Sequence, residues 1–219
     1  MSNVSVDVIL PCLDEAAALP WVLGRMPAGM RPLVVDNGST DGSARIARRL
    51  GAQVVTAPVR GYGAACEAGL RHSAAEVVVM MDCDGSIDPR DLSALVDPVA
   101  TRQVDLVVGR RRAGRDLRAY PLHLRLANRS LAARLSRRTG IRLRDCGPVR
   151  VARRQLLLDL DLGDRRFGYP VEVVVKAVAA GRSVANLDIP YAPRIGRSKV
   201  TGTPLGIWRA VRDASTALR

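Results

Sequence analysis

The chain has 219 residues, 47% of them hydrophobic, and a formal net charge of +13. That length suits one α/β domain, or one with a small appendage, and the apolar fraction is enough to fill a core. Aromatic residues make up only 3% of the chain, so the core must be built from Val, Leu and Ala, and a single-strand nucleic-acid binder, which needs stacking platforms, is disfavoured.

The chain opens without the basic and long apolar regions of a signal peptide, and no apolar run approaches the ~20 residues of a membrane helix. Cys12, Cys66, Cys83 and Cys146 are too widely scattered for a zinc or thioredoxin-like pair. These features predict a reduced, cytoplasmic protein, soluble or peripheral on the cytoplasmic face of a membrane.

Val6–Leu10 reads as an apolar strand, and Asp14 as the N-cap of a helix over Ala16–Arg25. Pro32–Asp36 is a second strand, followed by Asn37-Gly38-Ser39-Thr40-Asp41-Gly42 and a helix reaching Leu50; Asp41 is placed to cap that helix. Gln53–Thr56 is a third strand and Gly61–Ser73 a helix opening with two glycines. Val77–Asp82 is a fourth, buried strand. Pro89–Thr101 is a helix with Pro in its first turn, where the missing N–H costs little, and Asp105–Gly109 is a fifth strand. This strand–helix alternation predicts an α/β fold with a mostly parallel sheet covered on both faces.

Beyond residue 110 the pattern changes. Leu122–Thr139 is an arginine-studded amphipathic helix, and Asp145–Val151 a short strand or turn. Gln155–Leu160 and Pro170–Ala180 are helices and Ser183–Pro190 a strand. Pro204–Leu218 is a C-terminal amphipathic helix carrying Leu205, Trp208 and Val211 on one side. The absence of a repeat or low-complexity linker favours a single domain over 1–219.

The positive charge gathers from Arg110 onward and avoids the first hundred residues. Such asymmetry fits an anionic partner of the second half: a phosphate, an acidic membrane surface or nucleic acid. The carboxylates of the first half tell a different story. Asp82-Cys83-Asp84 emerges at the C-terminal end of the fourth strand, the edge at which ligands bind in open α/β sheets. Two carboxylates one residue apart need a counter-charge, and a hard divalent cation bridging to a substrate phosphate supplies it. Asp36 and Asn37 leave the second strand at the same edge, placed to accept from or donate to a nucleobase. Gly61 and Gly63 would allow a close backbone approach to a ligand.

Pro11…Asp14-Glu15, Val35-Asp36-Asn37-Gly38-Ser39-Thr40-Asp41-Gly42, Arg60-Gly61-x-Gly63, Asp82-Cys83-Asp84 and Gly109-Arg110 occur in order at suitable intervals. Together they resemble the GT-A fold of family 2 glycosyltransferases. Asp145-Cys146-Gly147-Pro148-Val149-Arg150 resembles the D-x-x-S-G-F-R element, Glu172 falls in the helix that carries a glutamate there, and Arg194-Ile195-Gly196-Arg197-Ser198-Lys199 resembles R-x-G-x-S-K. These later elements resemble the dolichol- and polyprenyl-phosphate sugar transferases, over about residues 4–200.

The resemblance implies a division of labour. Residues 1–110 would hold the nucleotide sugar and metal, and residues 111–219 the acceptor. Asp82 and Asp84, with Ser86 as a third ligand or holding its water, would bind Mg²⁺ or Mn²⁺ on the donor diphosphate. Pro11, Leu13, Glu15, Asp36 and Asn37, with Gly61 and Cys83, would surround the nucleotide. Arg110, Arg125, Arg194 and Lys199 would hold donor or acceptor phosphates. Leu13 stands where the family usually has Tyr, Asn37 where a second Asp is common, and Pro148-Val149 replaces Gly-Phe on the acceptor side.

The expected activity is metal-dependent inverting transfer of a sugar from a nucleotide-diphosphate donor to a polyprenyl phosphate or related lipid at a membrane surface. A membrane-protein partner or a homo-oligomer is compatible with it. The alternative is a soluble glycosyltransferase acting on a hydroxyl of a small molecule. Asp84 and Asp145 are the candidate catalytic carboxylates, and Asp145 would be the base if the acceptor were a hydroxyl. An ionised lipid phosphate needs cations and no base. A basic nucleic-acid binder is the remote alternative and is not expected. His72 and His123, at helix ends without metal-ligand spacing, are structural.

Overall fold

The computed structural model describes residues 4–112, 120–196, 212–214 and 216–217. Seven strands form one sheet in the order β3-β2-β1-β4-β6-β5-β7. They are β1 Val6–Cys12, β2 Met30–Asp36, β3 Gln53–Thr56, β4 Val77–Met81, β5 Leu106–Arg112, β6 Val149–Arg153 and β7 Val184–Pro190. β6 runs antiparallel to both neighbours, and every other pairing is parallel. The segment expected as a short strand or turn is therefore a central strand, inserted between β4 and β5.

Helices cover both faces. They are α1 Leu19–Leu23, α2 Ser43–Arg49, α3 Tyr62–His72, α4 Ser93–Ala100, α5 Leu122–Thr139, α6 Arg154–Asp159 and α7 Tyr169–Ala179. Strand alternation sorts the core into two layers. Val6, Val8 and Leu10 of β1 pack with Val77, Val79 and Met81 of β4 beneath α1, α2 and α4. Ile9, Val78, Met80, Leu106 and Val108 pack on the other face with α3, α5, α6 and α7. A core of Val, Leu and Ala thus closes the domain nearly without aromatics; Tyr169 is the one fully buried ring among the largest buried side chains.

Several local expectations are revised. Asp14 does not cap a helix: it sits at φ +52°, and its Oδ1 accepts the Thr40 N–H at 2.7 Å. Residues 15–18 form turns, and α1 begins only at Leu19, with Pro20 in its first turn. The Asp41 carboxylate accepts the Ser43 N–H at 2.9 Å, although Gly42 at φ +86° is the N-cap of α2. The helix expected over 89–101 divides into a 3₁₀ turn, Pro89–Leu92, and α4. β5 runs three residues beyond its expected end, to Arg112. The expected helix over 204–218 lies outside the described residues apart from 212–214, 216 and 217; Ala214 of that segment is buried in the core.

Candidate active site

The C-terminal ends of β1, β2 and β4 and the start of β6 meet at one edge of the sheet. They enclose a cavity of about 450 Å³ lined by Pro11, Leu13, Glu15, Asn37, Gly61, Asp82, Cys83 and Asp84, together with Arg111, Arg150, Tyr191 and Arg194. The loops after β1 and β2 are laced together above it. Asp14 N–H donates to Ser39 Oγ at 3.0 Å, Glu15 N–H to Ser43 Oγ at 2.9 Å and Ala16 N–H to Asp41 Oδ2 at 2.9 Å. These bonds explain why Ser, Thr and Asp crowd the stretch after β2: each fixes a backbone group of the neighbouring loop.

Asp82 and Asp84 project from the end of β4. Asp84 is 7% exposed; its Oδ1 accepts the Ser86 N–H at 2.9 Å, and its Oδ2 lies 3.2 Å from Arg194 Nη1. The same guanidinium reaches Glu15 Oε1 at 2.6 Å. Asp82 receives no hydrogen bond among the described residues. Burial and the adjacent Asp84 carboxylate push its carboxyl up to about 7, against the pull of Arg111, Arg194 and Arg150. A half-buried carboxylate without a donor, held beside a buried second one, is a strained charge arrangement that a divalent cation relieves. Among the described residues no cluster of three His, Cys, Asp or Glu could hold a metal. The donor set is thus two carboxylates open to substrate oxygens, which suits Mg²⁺ or Mn²⁺ on a phosphate better than a closed structural site. Ser86 is buried at 1% exposure and braces Asp84 through its backbone N–H.

A buried arginine and a half-buried one stand behind the carboxylates. Arg150, 3% exposed, donates to the carbonyls of Gly147 at 2.8 Å, Pro170 at 3.1 Å and Cys146. Arg111 Nη1 lies 3.0 Å from Asp145 Oδ1 and 3.1 Å from the Tyr120 hydroxyl. Its Cζ sits 5.0 Å from the Tyr120 ring centroid and 5.4 Å from that of Tyr191. Burial opposes the Arg111 charge, but Asp145 and the two tyrosines more than offset it and raise its pKa. Arg111 also lines a second cavity of about 610 Å³, together with Arg110, Arg125, Arg129, Arg142, Arg144 and Asp145.

The predicted residues therefore divide between two adjoining spaces. Pro11, Leu13, Glu15, Asn37, Gly61, Asp82, Cys83, Asp84 and Arg194 line the first, and Arg110, Arg125 and Asp145 the second. Asp36 lies beside the first without lining it, and its Oδ1 accepts the Ser39 N–H at 3.2 Å. Lys199 lies outside the described residues. Arg110 turns to Asp188, leaving Arg111 to face the carboxylates. Sequence inspection missed Arg111, Tyr120 and Tyr191; alternation along a longer β5 was the signal for Arg111.

Gly61 and Gly63 make room for protein. A Cβ on Gly61, whose φ is +149°, would overlap the Arg165 carbonyl oxygen, and one on Gly63 would overlap that of Asp164. The 164–166 loop uses this closeness to accept N–H groups of the first turn of α3: Gly63 N–H donates to the Arg166 carbonyl at 3.1 Å and Ala64 N–H to the Arg165 carbonyl at 2.9 Å. Glu172 holds that loop, accepting N–H from Gly163 at 2.9 Å and Asp164 at 2.8 Å, with Lys176 Nζ at 2.9 Å.

This sheet order, with a carboxylate pair at the end of β4 and cations around it, is that of an α/β fold whose candidate ligand site lies at the strand ends. Residues 6–160 match the family model for glycosyl transferase family 2. The chain is 46% identical, over 97% of both chains, to an uncharacterised glycosyltransferase of Mycobacterium tuberculosis. It is 32% identical to the polyprenol monophosphomannose synthase of Mycolicibacterium smegmatis, over 90% of this chain and 81% of that one. Among solved structures, it resembles the glucosyl-3-phosphoglycerate synthase of M. tuberculosis in complex with Mn²⁺, UDP and glucosyl-3-phosphoglycerate, at a TM-score of 0.76 and 25% identity, covering 98% of this chain and 78% of that one.

The chain belongs to glycosyltransferase family 2, and its fold is the GT-A fold of that structure. It is a glycosyltransferase enzyme of that family.

Proposed function

We propose that the chain transfers a sugar from a nucleotide diphosphate to a phosphorylated polyprenol or related lipid, with Mg²⁺ or Mn²⁺ held by Asp82 and Asp84. The observation that carries this reading is the arrangement of two spaces sharing Arg111: a carboxylate-bearing cavity and a groove lined by arginines. The first suits a nucleotide diphosphate with its cation. The second suits an acceptor that is already anionic. The polyprenol monophosphomannose synthase similarity supports the lipid phosphate.

In the first cavity, Leu13, Pro11 and Asn37 would flank the nucleoside. Arg194 spans Glu15 and Asp84, so a diphosphate oxygen arriving there would take over one of its charged partners. The acceptor oxygen attacks the anomeric carbon as the bond from that carbon to the diphosphate oxygen breaks, with inversion. When bound, the metal supplies Lewis-acid neutralisation of the leaving diphosphate. Arg111 and Arg194 add positive charge there, held by ion pairs and partly desolvated and therefore effective. An ionised phosphate acceptor has no proton to lose. This agrees with Asp145 being held by Arg111 and the Gly147 N–H, the arrangement of a positioning residue.

A second reading has one observation in its favour. The glucosyl-3-phosphoglycerate named in the similar structure is a small phosphorylated molecule, and an arginine-lined groove would also suit such an acceptor.

The test is binding of UDP, GDP and dTDP by calorimetry with and without Mn²⁺, followed by transfer assays on polyprenyl phosphate and on 3-phosphoglycerate. Metal-dependent binding of one nucleotide, lost in Asp84→Ala together with turnover, is the expected result. Full activity of Asp84→Ala would sink the donor-site assignment, and transfer to phosphoglycerate alone would replace the lipid acceptor with the soluble one.

A further inference from the structure

Helix α5 carries five arginines and no acidic residue in its 18 residues, Leu122–Thr139. Its inner face is buried in the core through Ala132 and Leu135, beside α7. On the opposite face Leu122, Leu126, Arg129, Ala133 and Arg137 follow at intervals of four, three, four and four, which places them in one stripe. All five are exposed. Leu122 is 60% and Leu126 59% exposed, among the few large apolar side chains left open on the described surface. Midway along the stripe, Arg129 and Ala133 also line the arginine groove. The two leucines thus lie N-terminal to the groove on the same helix, outside its lining.

We propose that the N-terminal half of α5 docks the chain on an anionic lipid bilayer. Leu122 and Leu126 enter the headgroup boundary, Arg129 and Arg137 meet lipid phosphates, and the arginine groove opens toward the membrane. A stripe that starts apolar and continues cationic is the pattern of an interfacial helix. Arginine stems can lie along the boundary while their guanidinium groups stay with the headgroups. Each arginine near an anionic leaflet adds attraction that salt screens. A nucleic acid would use the arginines but has no use for two open leucines beside them. No helix among the described residues is long and apolar enough to cross a membrane, so a bilayer contact made by those residues is a surface contact. The proposal deepens the lipid-acceptor reading and rests on it for the direction in which the groove opens.

The test is sedimentation of the full chain with vesicles of phosphatidylcholine alone or with roughly one-third phosphatidylglycerol, neither containing polyprenyl phosphate. Wild type should bind the phosphatidylglycerol vesicles, release with added NaCl, and ignore the neutral ones. Leu122→Ser combined with Leu126→Ser should weaken vesicle binding about tenfold, the loss of two half-buried leucines. Both positions are exposed, so thermal melting should be unchanged.

Failure to bind anionic vesicles would overturn the proposal, as would binding of the double variant at wild-type strength. Binding to polyuridylate in place of vesicles, indifferent to the leucine changes, would assign the face to nucleic acid and also overturn it. Transfer to detergent-dispersed polyprenyl phosphate checks the acceptor reading separately. The double variant should retain it, so loss of docking and loss of the acceptor assignment are told apart.

Discussion

Arg111 and Asp145 form an ion pair of 3.0 Å at the boundary between the carboxylate-bearing cavity and the arginine groove. The side chains are 19% and 5% exposed, so the charge of Arg111 is fixed in place before any substrate arrives. Tyr120 and Tyr191 close on its faces. A planar fork held this way cannot be reproduced by an ammonium on a flexible stem. Arg111→Lys is therefore expected to lower kcat about 10²-fold, the scale seen when a preorganised donor is lost. Nucleotide binding measured by calorimetry should change much less. An unchanged kcat would remove Arg111 from the transfer step.

Asp145→Asn separates positioning from proton removal. The amide oxygen can still accept from Arg111 or the Gly147 N–H, so a positioning role predicts a loss of about tenfold or less, with an unshifted pH–rate profile. A general base would cost about 10²–10⁴-fold and flatten the acidic limb of the profile. The measurement is kcat against pH for both proteins with the same donor and acceptor.

Glu172 should reveal itself in stability. Burial raises its carboxyl, but the N–H groups of Gly163 and Asp164 and the Lys176 ammonium outweigh that and hold it below its ordinary value of 4.5. A carboxyl depressed in the folded state contributes stability that is present above the unfolded value and lost as pH falls through the folded one. Glu172→Gln turns an acceptor into an amide facing an N–H, so it should destabilise by about 1–2 kcal/mol at pH 7. The difference from wild type should shrink as pH falls below 4.5, followed by urea denaturation across that range. A difference independent of pH would mean that Glu172 acts by shape alone.

Gly63→Ala tests the contact between α3 and the 164–166 loop. The new methyl meets the Asp164 carbonyl and the Tyr169 Cβ, and neither is the far end of a flexible chain. Overpacking of this kind costs about 1–3 kcal/mol, readable as a lower melting temperature. Because Tyr62 and Phe167 both line the carboxylate-bearing cavity, the proposed nucleotide binding should weaken too. Wild-type stability in the variant would show that the loop yields freely.

The parts of the molecule governed by local chemistry were legible in the sequence. The run Val77–Met81 followed by two carboxylates read as a buried strand delivering charge to a sheet edge, and it is β4. The β2 loop announced itself through residues that bond backbone groups. What was misjudged depends on distant partners. Whether Arg110 or Arg111 faces the carboxylates turns on how far β5 extends, and that is set by its pairing with β7, whose register reaches Arg112↔Pro190. Gly61 and Gly63 were legible as points of close backbone approach, but not that a protein loop about a hundred residues later makes that approach. Asp14 had the composition of a helix cap, yet Thr40, from the neighbouring loop, claimed its carboxylate.

The insertion of β6 has a consequence for how the chain comes to be folded. β4 pairs with β1 on one side, residue for residue from Val6↔Val77 to Ile9↔Met80, and with β6 on the other, from Val77↔Arg153 to Met81↔Val149. During synthesis its second edge stays bare until some seventy further residues have emerged. A fragment ending near residue 110 would present a row of unpaired valines and methionines, an invitation to strand addition by another copy. The stretches before and after residue 112 are thus successive in the chain yet interleaved in the sheet, so neither can be cut away, exchanged or evolved as a free-standing module without first finding a new neighbour for β4.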